Sequence, residues 1–167
     1  MSNITHLISD KLLMAYSAGS VPEAFGLVIA THISMCPECR ARLGAFDSVG
    51  GALIDEVDAA PMAEGSLEAT MRLIGKRRKD PIIAKAALPG IFPKPLQDYI
   101  GGDLDEVKWR PAGRGVRQSI LPTSKDASVR LLSIPAGMAM PDHGHNGTEM
   151  TLVLQGAFLD EGERFGR

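Results

Sequence analysis

The chain has few of the residues and patterns that mark several broad protein classes. It has two cysteines, Cys36 and Cys39, which lie in one short motif with no other cysteine to pair with. This usage fits a reducing compartment, so we expect a cytoplasmic protein. The sequence has no run of about 18 apolar residues and no charged-then-apolar leader at its start. It therefore predicts neither a membrane span nor export.

Positive charge is not in excess in either half of the chain. The net charge is −2, and residues 1–85 and 86–167 each carry nine Lys or Arg against ten Asp or Glu. Binding to a phosphate backbone requires a basic surface, so we expect no direct DNA binding. With 167 residues, 44% of them hydrophobic, the chain can bury one modest core or two small ones.

Histidine is also scarce, and its four copies fall into two groups, His6 with His32 and His143 with His145. Histidine is the commonest metal ligand among side chains. Histidines used as ordinary core or surface residues would be scattered, so this grouping favours two metal sites.

The first group lies beside the cysteine motif. His32 and Cys36 are four residues apart, so on a helix they share one face. Cys36 and Cys39 are separated by two residues, and Pro37 suits the first turn of a new helix. One imidazole and two thiolates can then form three corners of a tetrahedral zinc site. His6 is the only other histidine in the first half that is available for the fourth corner.

A Cys-x-x-Cys motif has other interpretations. It can be a redox pair or two buried thiols, and a redox pair is expected after a strand in a βαβ unit. Here the motif follows an amphipathic helical pattern. The ligand spacing and this context favour zinc over both alternatives.

The residues around the motif predict four helices. The first begins at Ser9–Asp10, and the second follows residues 20–23, which read as a capping box. A third begins at Pro37, and a fourth spans residues 66–79. Residues 59–65 before the fourth helix have the composition of a hinge.

The fourth helix carries Leu67, Met71 and Ile74 on one side. A helix held away by a flexible hinge cannot easily share a core tied together by zinc. We therefore expect this apolar side to dock in a groove of a partner.

The hydrophobic pattern changes after a segment rich in proline and glycine at residues 86–106, which we interpret as a linker. Beyond it, short β-strands are predicted over residues 107–110, 116–121, 129–134 and 151–158. The second half of the chain is therefore predicted to be a β domain.

The second histidine group lies in this β half. On an extended strand His143 and His145 point to the same face, and Glu149 returns to it after a short turn. Two imidazoles and a carboxylate suit zinc, iron, manganese or nickel without choosing among them. The alternative is a pair of surface histidines in a loop, which would not explain the glutamate and glycines at fixed offsets.

Both groups resemble known family motifs. Gly137, His143, His145, Glu149 and Gly156, at their spacings, resemble the complete first motif of the cupin superfamily. The fold of that superfamily is a small β-barrel with a metal in its mouth.

The first group, His6 with His32, Cys36 and Cys39, resembles the zinc-binding anti-sigma domain. In this order, and over essentially the whole chain, the two motifs resemble the ChrR-type anti-sigma factors.

The resemblance implies an α + β protein with two domains. A four-helix domain tied together by zinc would span residues 1–85, a linker residues 86–106 and a cupin-type β-barrel residues 107–167. The second cupin motif, which supplies a further histidine, would lie beyond Phe158, and no later histidine occurs. We therefore expect a barrel truncated at its C-terminus.

The same resemblance implies a cytoplasmic regulator. It would bind a group IV (extracytoplasmic-function) sigma factor in a one-to-one complex and block access to core RNA polymerase. Singlet oxygen or organic peroxide would release the sigma factor. The implied zinc ligands are His6, His32, Cys36 and Cys39, and the implied cupin ligands are His143, His145 and Glu149.

The alternative function is a metal-dependent cupin enzyme, a dioxygenase or an isomerase. Two histidines and a glutamate with open coordination positions do resemble sites that activate oxygen. The β half shows no acid–base pair near the site beyond Glu149, so a regulator is preferred to an enzyme.

Overall fold

The computed structural model describes residues 4–76, 89–138, 147–160 and 162–167. These residues form α-helices, one short 3-10 helix and β-strands, in agreement with the predicted α + β class. The helices are α1 (Asp10–Ser17), α2 (Glu23–Met35), α3 (Pro37–Asp55), α4 (Ser66–Lys76) and α5 (Lys94–Ile100), with the 3-10 helix at Leu104–Glu106. The strands are β1 (Arg110–Gly113), β2 (Val116–Leu121), β3 (Val129–Ser133), β4 (Ala157–Asp160) and β5 (Glu163–Gly166).

Helix α1 begins where the sequence predicts and is tied to α3 by polar contacts. Ser9 is its N-cap, and the Ser9 hydroxyl accepts a backbone N–H of the first turn at 3.4 Å. The Arg42 guanidinium on α3 donates to the Asp10 carboxylate, with Nε at 3.0 Å. The Ser17 hydroxyl donates to the Asp47 carboxylate, so both ends of α1 are held against α3.

The predicted capping box at residues 20–23 is wrong. Gly19 adopts a left-handed φ of +66° and ends α1, which turns the following residue back toward that helix. Both the N–H and the hydroxyl of Ser20 therefore donate to the Ala15 carbonyl, at 2.9 and 3.0 Å. Helix α2 begins instead after Pro22, which makes no side-chain capping bond.

A first hydrophobic core joins α1, α2 and the start of α3. Its buried residues are Ile8, Leu13, Ile29, Ile33, Cys36 and Cys39. The C-terminal half of α3 extends beyond this core, because the apolar side chains near its end are exposed. Helix α4 begins at Ser66 as predicted and has no buried residue, while its predicted last turn at 77–79 lies outside the described residues.

The predicted linker contains ordered elements that pack in a second core. Pro93 is the N-cap of α5, and Gly101, with a left-handed φ of +90°, ends that helix. The Asp103 carboxylate accepts the backbone N–H groups of Ile91 and Phe92, at 2.8 and 3.2 Å. Proline and glycine here mark the ends of a short helix, which the composition alone does not distinguish from a loop.

The strands form two antiparallel sheets. β2 is central in a three-stranded sheet of order β1-β2-β3, and β4 pairs with β5 in a two-stranded sheet. In the larger sheet, Ser119 pairs with Leu131 and Leu121 pairs with Val129. The prediction of β2 is confirmed at both ends, and that of β3 differs by one residue.

Two other predicted strands are displaced. Residues 107–109 do not pair, because the Trp109 N–H donates back to the Val107 carbonyl at 2.9 Å in a local turn. β1 therefore starts at Arg110. Residues 151–156 form no strand, and β4 starts only at Ala157. The predicted cupin-type β-barrel, truncated at its C-terminus, stays a prediction.

The second core lies between α2, α5 and the larger sheet. Its buried residues are Leu27, Phe92, Leu96, Val107, Leu121 and Leu131. Leu27 belongs to α2, and the same helix supplies Ile29 and Ile33 to the first core. Helix α2 thus packs in both cores and joins the helical half to the β half.

Candidate metal centre

The corner between α2 and α3 brings together three metal-ligating side chains. His32 lies in the last turn of α2, Cys36 is the N-cap of α3, and Cys39 lies in the first turn of α3. Their ligand atoms all lie within 4.8 Å of one another, and all three residues are buried. The predicted convergence of these residues is thus what the structure shows.

The backbone of the corner fixes this arrangement. The Cys36 N–H donates to the His32 carbonyl at 2.9 Å, which continues the helical pattern through the bend. The Arg40 guanidinium donates to the Ile33 and Ser34 carbonyls at 2.9 and 3.3 Å. These bonds satisfy carbonyls that the end of α2 leaves without a helical partner. The backbone of the corner is therefore hydrogen-bonded through the bend.

The thiols sit in different hydrogen-bonding environments. The Cys36 sulfur accepts the Cys39 N–H at 3.4 Å, as an N-cap side chain does. Burial raises the pKa of the Cys39 thiol, an effect that the N–H of Ile8 on the same sulfur opposes. In the absence of a bound metal ion, Cys39 is thus a neutral thiol at neutral pH.

His32 provides the test of whether a metal fits. Among the described residues, the buried Nε2 atom of His32 has no hydrogen-bond partner. Burial also lowers the pKa of His32, so the ring stays neutral and keeps a lone pair for a ligand. A buried polar atom without a partner is costly, and a metal ion would remove that cost. His32, Cys36 and Cys39 could therefore hold a metal ion.

The structure does not bring His6 into this group. Its Nε2 lies 2.8 Å from Glu163 Oε1 on β5, and its ring centroid lies 4.5 Å from that of Phe165. The N-terminal segment nevertheless passes the centre, because Ile8 contacts the Cys39 sulfur only two residues later. The role of His6 as a fourth ligand stays a prediction.

The predicted cupin ligands lie largely outside the described residues. His143 and His145 fall in the range 139–146, of which nothing is described. Glu149 is described and exposed. The next residue, Met150, packs against the first core. The cupin metal site stays a prediction.

A large apolar surface lies on α3 and α4, outside both cores. We define the α3–α4 apolar surface by the exposed side chains Val49, Leu53, Ile54, Val57, Met62, Leu67, Met71, Leu73 and Ile74. Within the described ranges these side chains are 59–73% exposed. Exposed apolar side chains in such number are typical of a surface that binds another protein.

The sequence showed part of this surface. The apolar side of α4 was predicted to need a partner, but no such role was predicted for the exposed apolar side chains of α3. Hydrophobic periodicity identifies an apolar face of a helix, but it does not indicate whether that face packs in the chain's own core or against another molecule. No sequence motif predicted the contacts that Ile8 and Arg40 make at the metal centre.

Known proteins share both halves of this architecture. The family model described as the ChrR cupin-like domain matches residues 97–167. The anti-sigma-E factor ChrR of Cereibacter sphaeroides is 55% identical over 163 residues, which cover 98% of this chain and 76% of that protein.

A solved structure is similar to the whole fold. It is the crystal structure of Rhodobacter sphaeroides SigE in complex with the anti-sigma ChrR. The similarity has a TM-score of 0.85 at 53% identity and covers 98% of this chain and 84% of the matched chain.

A helical half with a candidate metal corner, followed by a cupin-like half, defines a class of two-part regulators. With this identity and coverage, the chain belongs to the ChrR family of anti-sigma factors. No helix in the parts of the chain that the structure describes is both long and apolar enough to cross a bilayer.

We expect replacement of both cysteines to remove the metal and destabilise the helical half. The variant Cys36→Ser with Cys39→Ser should lose bound Zn²⁺ and more than about 3 kcal/mol of unfolding free energy, because metal binding contributes to folding. Elemental analysis and urea unfolding measure the two effects. Ser48→Ala, an exposed position on α3 whose hydroxyl donates to the Gly44 carbonyl, is the control. Zinc content equal to the parent's would contradict the assignment.

We also expect metal uptake to release protons. At neutral pH the Cys39 thiol, whose pKa burial raises, holds a proton that the ion must displace, whereas His32 is already neutral. The apparent Zn²⁺ affinity should therefore rise with pH, by about tenfold per unit for each thiol proton displaced. Chelator competition between about pH 6.5 and 8 measures it. An affinity independent of pH would show that Cys39 is not a ligand.

Proposed function

We propose that this chain is an anti-sigma factor that binds a group IV (extracytoplasmic-function) sigma factor in a one-to-one complex. Bound in this way, the sigma factor cannot reach core RNA polymerase. The observation that carries the proposal is the similarity of 98% of the chain to a structure in which ChrR is in complex with SigE. Membership of this family favours a regulator over a metal-dependent dioxygenase or isomerase.

The α3–α4 apolar surface supplies a physical basis for the complex. Helix α4 has no buried residue, and an isolated helix of 11 residues is marginal in water. An amphipathic helix of this kind gains stability by laying its apolar face in a groove of a partner. We assign the sigma factor as that partner.

Zinc is the metal proposed for the corner of α2 and α3. Two thiolates and an imidazole match the ligands of structural zinc sites, and we propose His6 as the fourth. The metal would connect the N-terminal segment, α2 and α3, because its ligands come from all three. It would thereby fix the direction in which α3 projects its exposed apolar end.

The cupin-like half is proposed to control release. Residues His143, His145 and Glu149 would hold zinc or another divalent metal such as iron, manganese or nickel, and singlet oxygen or organic peroxide would act there. The proposed layout is a helical domain at 1–85, a linker at 86–106, within which α5 packs against the β half, and a cupin domain at 107–167. The proposed location is the cytoplasm, where a sigma factor meets core polymerase.

We expect charge on the α3–α4 apolar surface to abolish sigma-factor binding. Leu67→Glu with Ile74→Glu should weaken the affinity at least about a hundredfold, because two carboxylates would be buried in an apolar interface. Isothermal titration and transcription by core polymerase measure this loss. Both residues are exposed, so the fold should be retained.

The matched control is Leu159→Glu, another exposed leucine, on β4. It should leave the affinity within about threefold of the parent's. Parent-like binding by the α4 variant would place the sigma factor on a different surface.

A further inference from the structure

Three residues form a polar contact between the start of α2 and the β half, which we call the Glu23 clasp (Glu23, Tyr99 and Ser124). The Tyr99 hydroxyl donates to Glu23 Oε1 at 2.9 Å, and the Ser124 N–H donates to Glu23 Oε2 at 2.7 Å. The same hydroxyl lies against the Pro122 carbonyl, so the two acceptors share its single proton. Both carboxylate oxygens of Glu23 are thus engaged.

The clasp joins distant parts of the chain. Glu23 is 76 residues from Tyr99 and 101 residues from Ser124. Tyr99 belongs to α5, and Ser124 follows β2. Glu23 lies in the first turn of α2, where a carboxylate is also favoured by the helix dipole. The contact therefore fastens the N-terminal end of α2 to the β half.

Apolar packing continues this contact along α2. Leu27, one turn after Glu23, is buried in the second core with Leu96 of α5 and Leu131 of β3. At the other end of α2, His32 faces the cysteines of the metal centre. A helix moves as a unit, so displacement of its first turn by the β half reaches the turn that carries His32.

The protonation of Tyr99 suits a donor in this contact. Burial and the neighbouring Glu23 carboxylate raise the pKa of Tyr99, so its hydroxyl keeps its proton at neutral pH. None of the clasp residues belongs to the α3–α4 apolar surface. The clasp can therefore change without removing a side chain from that surface.

We propose that the Glu23 clasp is the regulatory contact through which the cupin-like half acts on the sigma-binding half. When the hydrogen bonds of the Glu23 clasp are formed, α2 is held against both cores. A rearrangement of the cupin-like half displaces α5 and the end of β2, pulls on Glu23 and loosens α2 at the metal corner. This inference rests on the proposed function, because its output is release of the sigma factor.

The test uses the full zinc-loaded chain with Glu23→Gln, Tyr99→Phe and the double variant. Tyr99→Phe removes one hydroxyl and keeps the ring, and Tyr16→Phe, on α1, is the matched control. Amide hydrogen exchange of α2 is the first readout. We expect at least about fivefold faster exchange in all three variants, at residues 23–27 and also at residues 31–35, the far end of α2.

The second readout is the sigma-factor complex before and after illumination with a photosensitiser that generates singlet oxygen. The variants should bind the sigma factor up to about tenfold more weakly than the parent, because α2 is already looser at the metal corner although the α3–α4 apolar surface is intact. The increase in release rate that illumination causes should be at least about fivefold smaller than in the parent, because the cupin-like half no longer acts on α2.

Faster exchange confined to residues 23–27, or no change in exchange, would overturn the proposal. An increase in release rate on illumination equal to the parent's, in a variant whose far-end exchange is faster, would also overturn it. Failure of the parent chain to bind any sigma factor would instead overturn the proposed function, and the exchange data would still decide whether the clasp reaches the metal corner.

Discussion

The corner between α2 and α3 is the constraint on which the helical half depends. Pro37 and the N-cap Cys36 turn the chain sharply, and Arg40 satisfies the carbonyls that the turn exposes. The bend places the ligand atoms of an imidazole and two thiols within 4.8 Å of one another. His32 Nε2, buried and without a partner in the described part of the chain, is a cost that a bound metal would remove. Folding and metal binding are therefore linked at one point.

Helix α2 connects this corner to the β half. It packs in the first core through Ile29 and Ile33 and in the second core through Leu27. The exposed apolar end of α3 and the whole of α4 remain outside both cores. The chain thus joins a packed part to a part whose apolar side chains are exposed, an arrangement typical of a protein that binds a partner.

The sequence predicted features fixed by local rules and missed those fixed by tertiary contacts. The ligand spacing of His32, Cys36 and Cys39, the cap at Ser9 and strand β2 are local, and the structure has them as predicted. Helix α5 was hidden in a segment rich in proline and glycine, because its stability comes from packing against α2. The contact of His6 with Glu163 joins residues 157 apart, which no pattern along the chain reveals.

The role of the metal is tested most directly by the sigma-factor affinity of the full chain before and after a chelator removes its metal, with metal content verified at each step. The metal-free chain should bind at least about tenfold more weakly, because the corner no longer fixes α2 and α3. Re-addition of Zn²⁺ should restore the affinity. An unchanged sigma-factor affinity in a chain shown to be metal-free would contradict the claim that the metal organises the sigma-binding half.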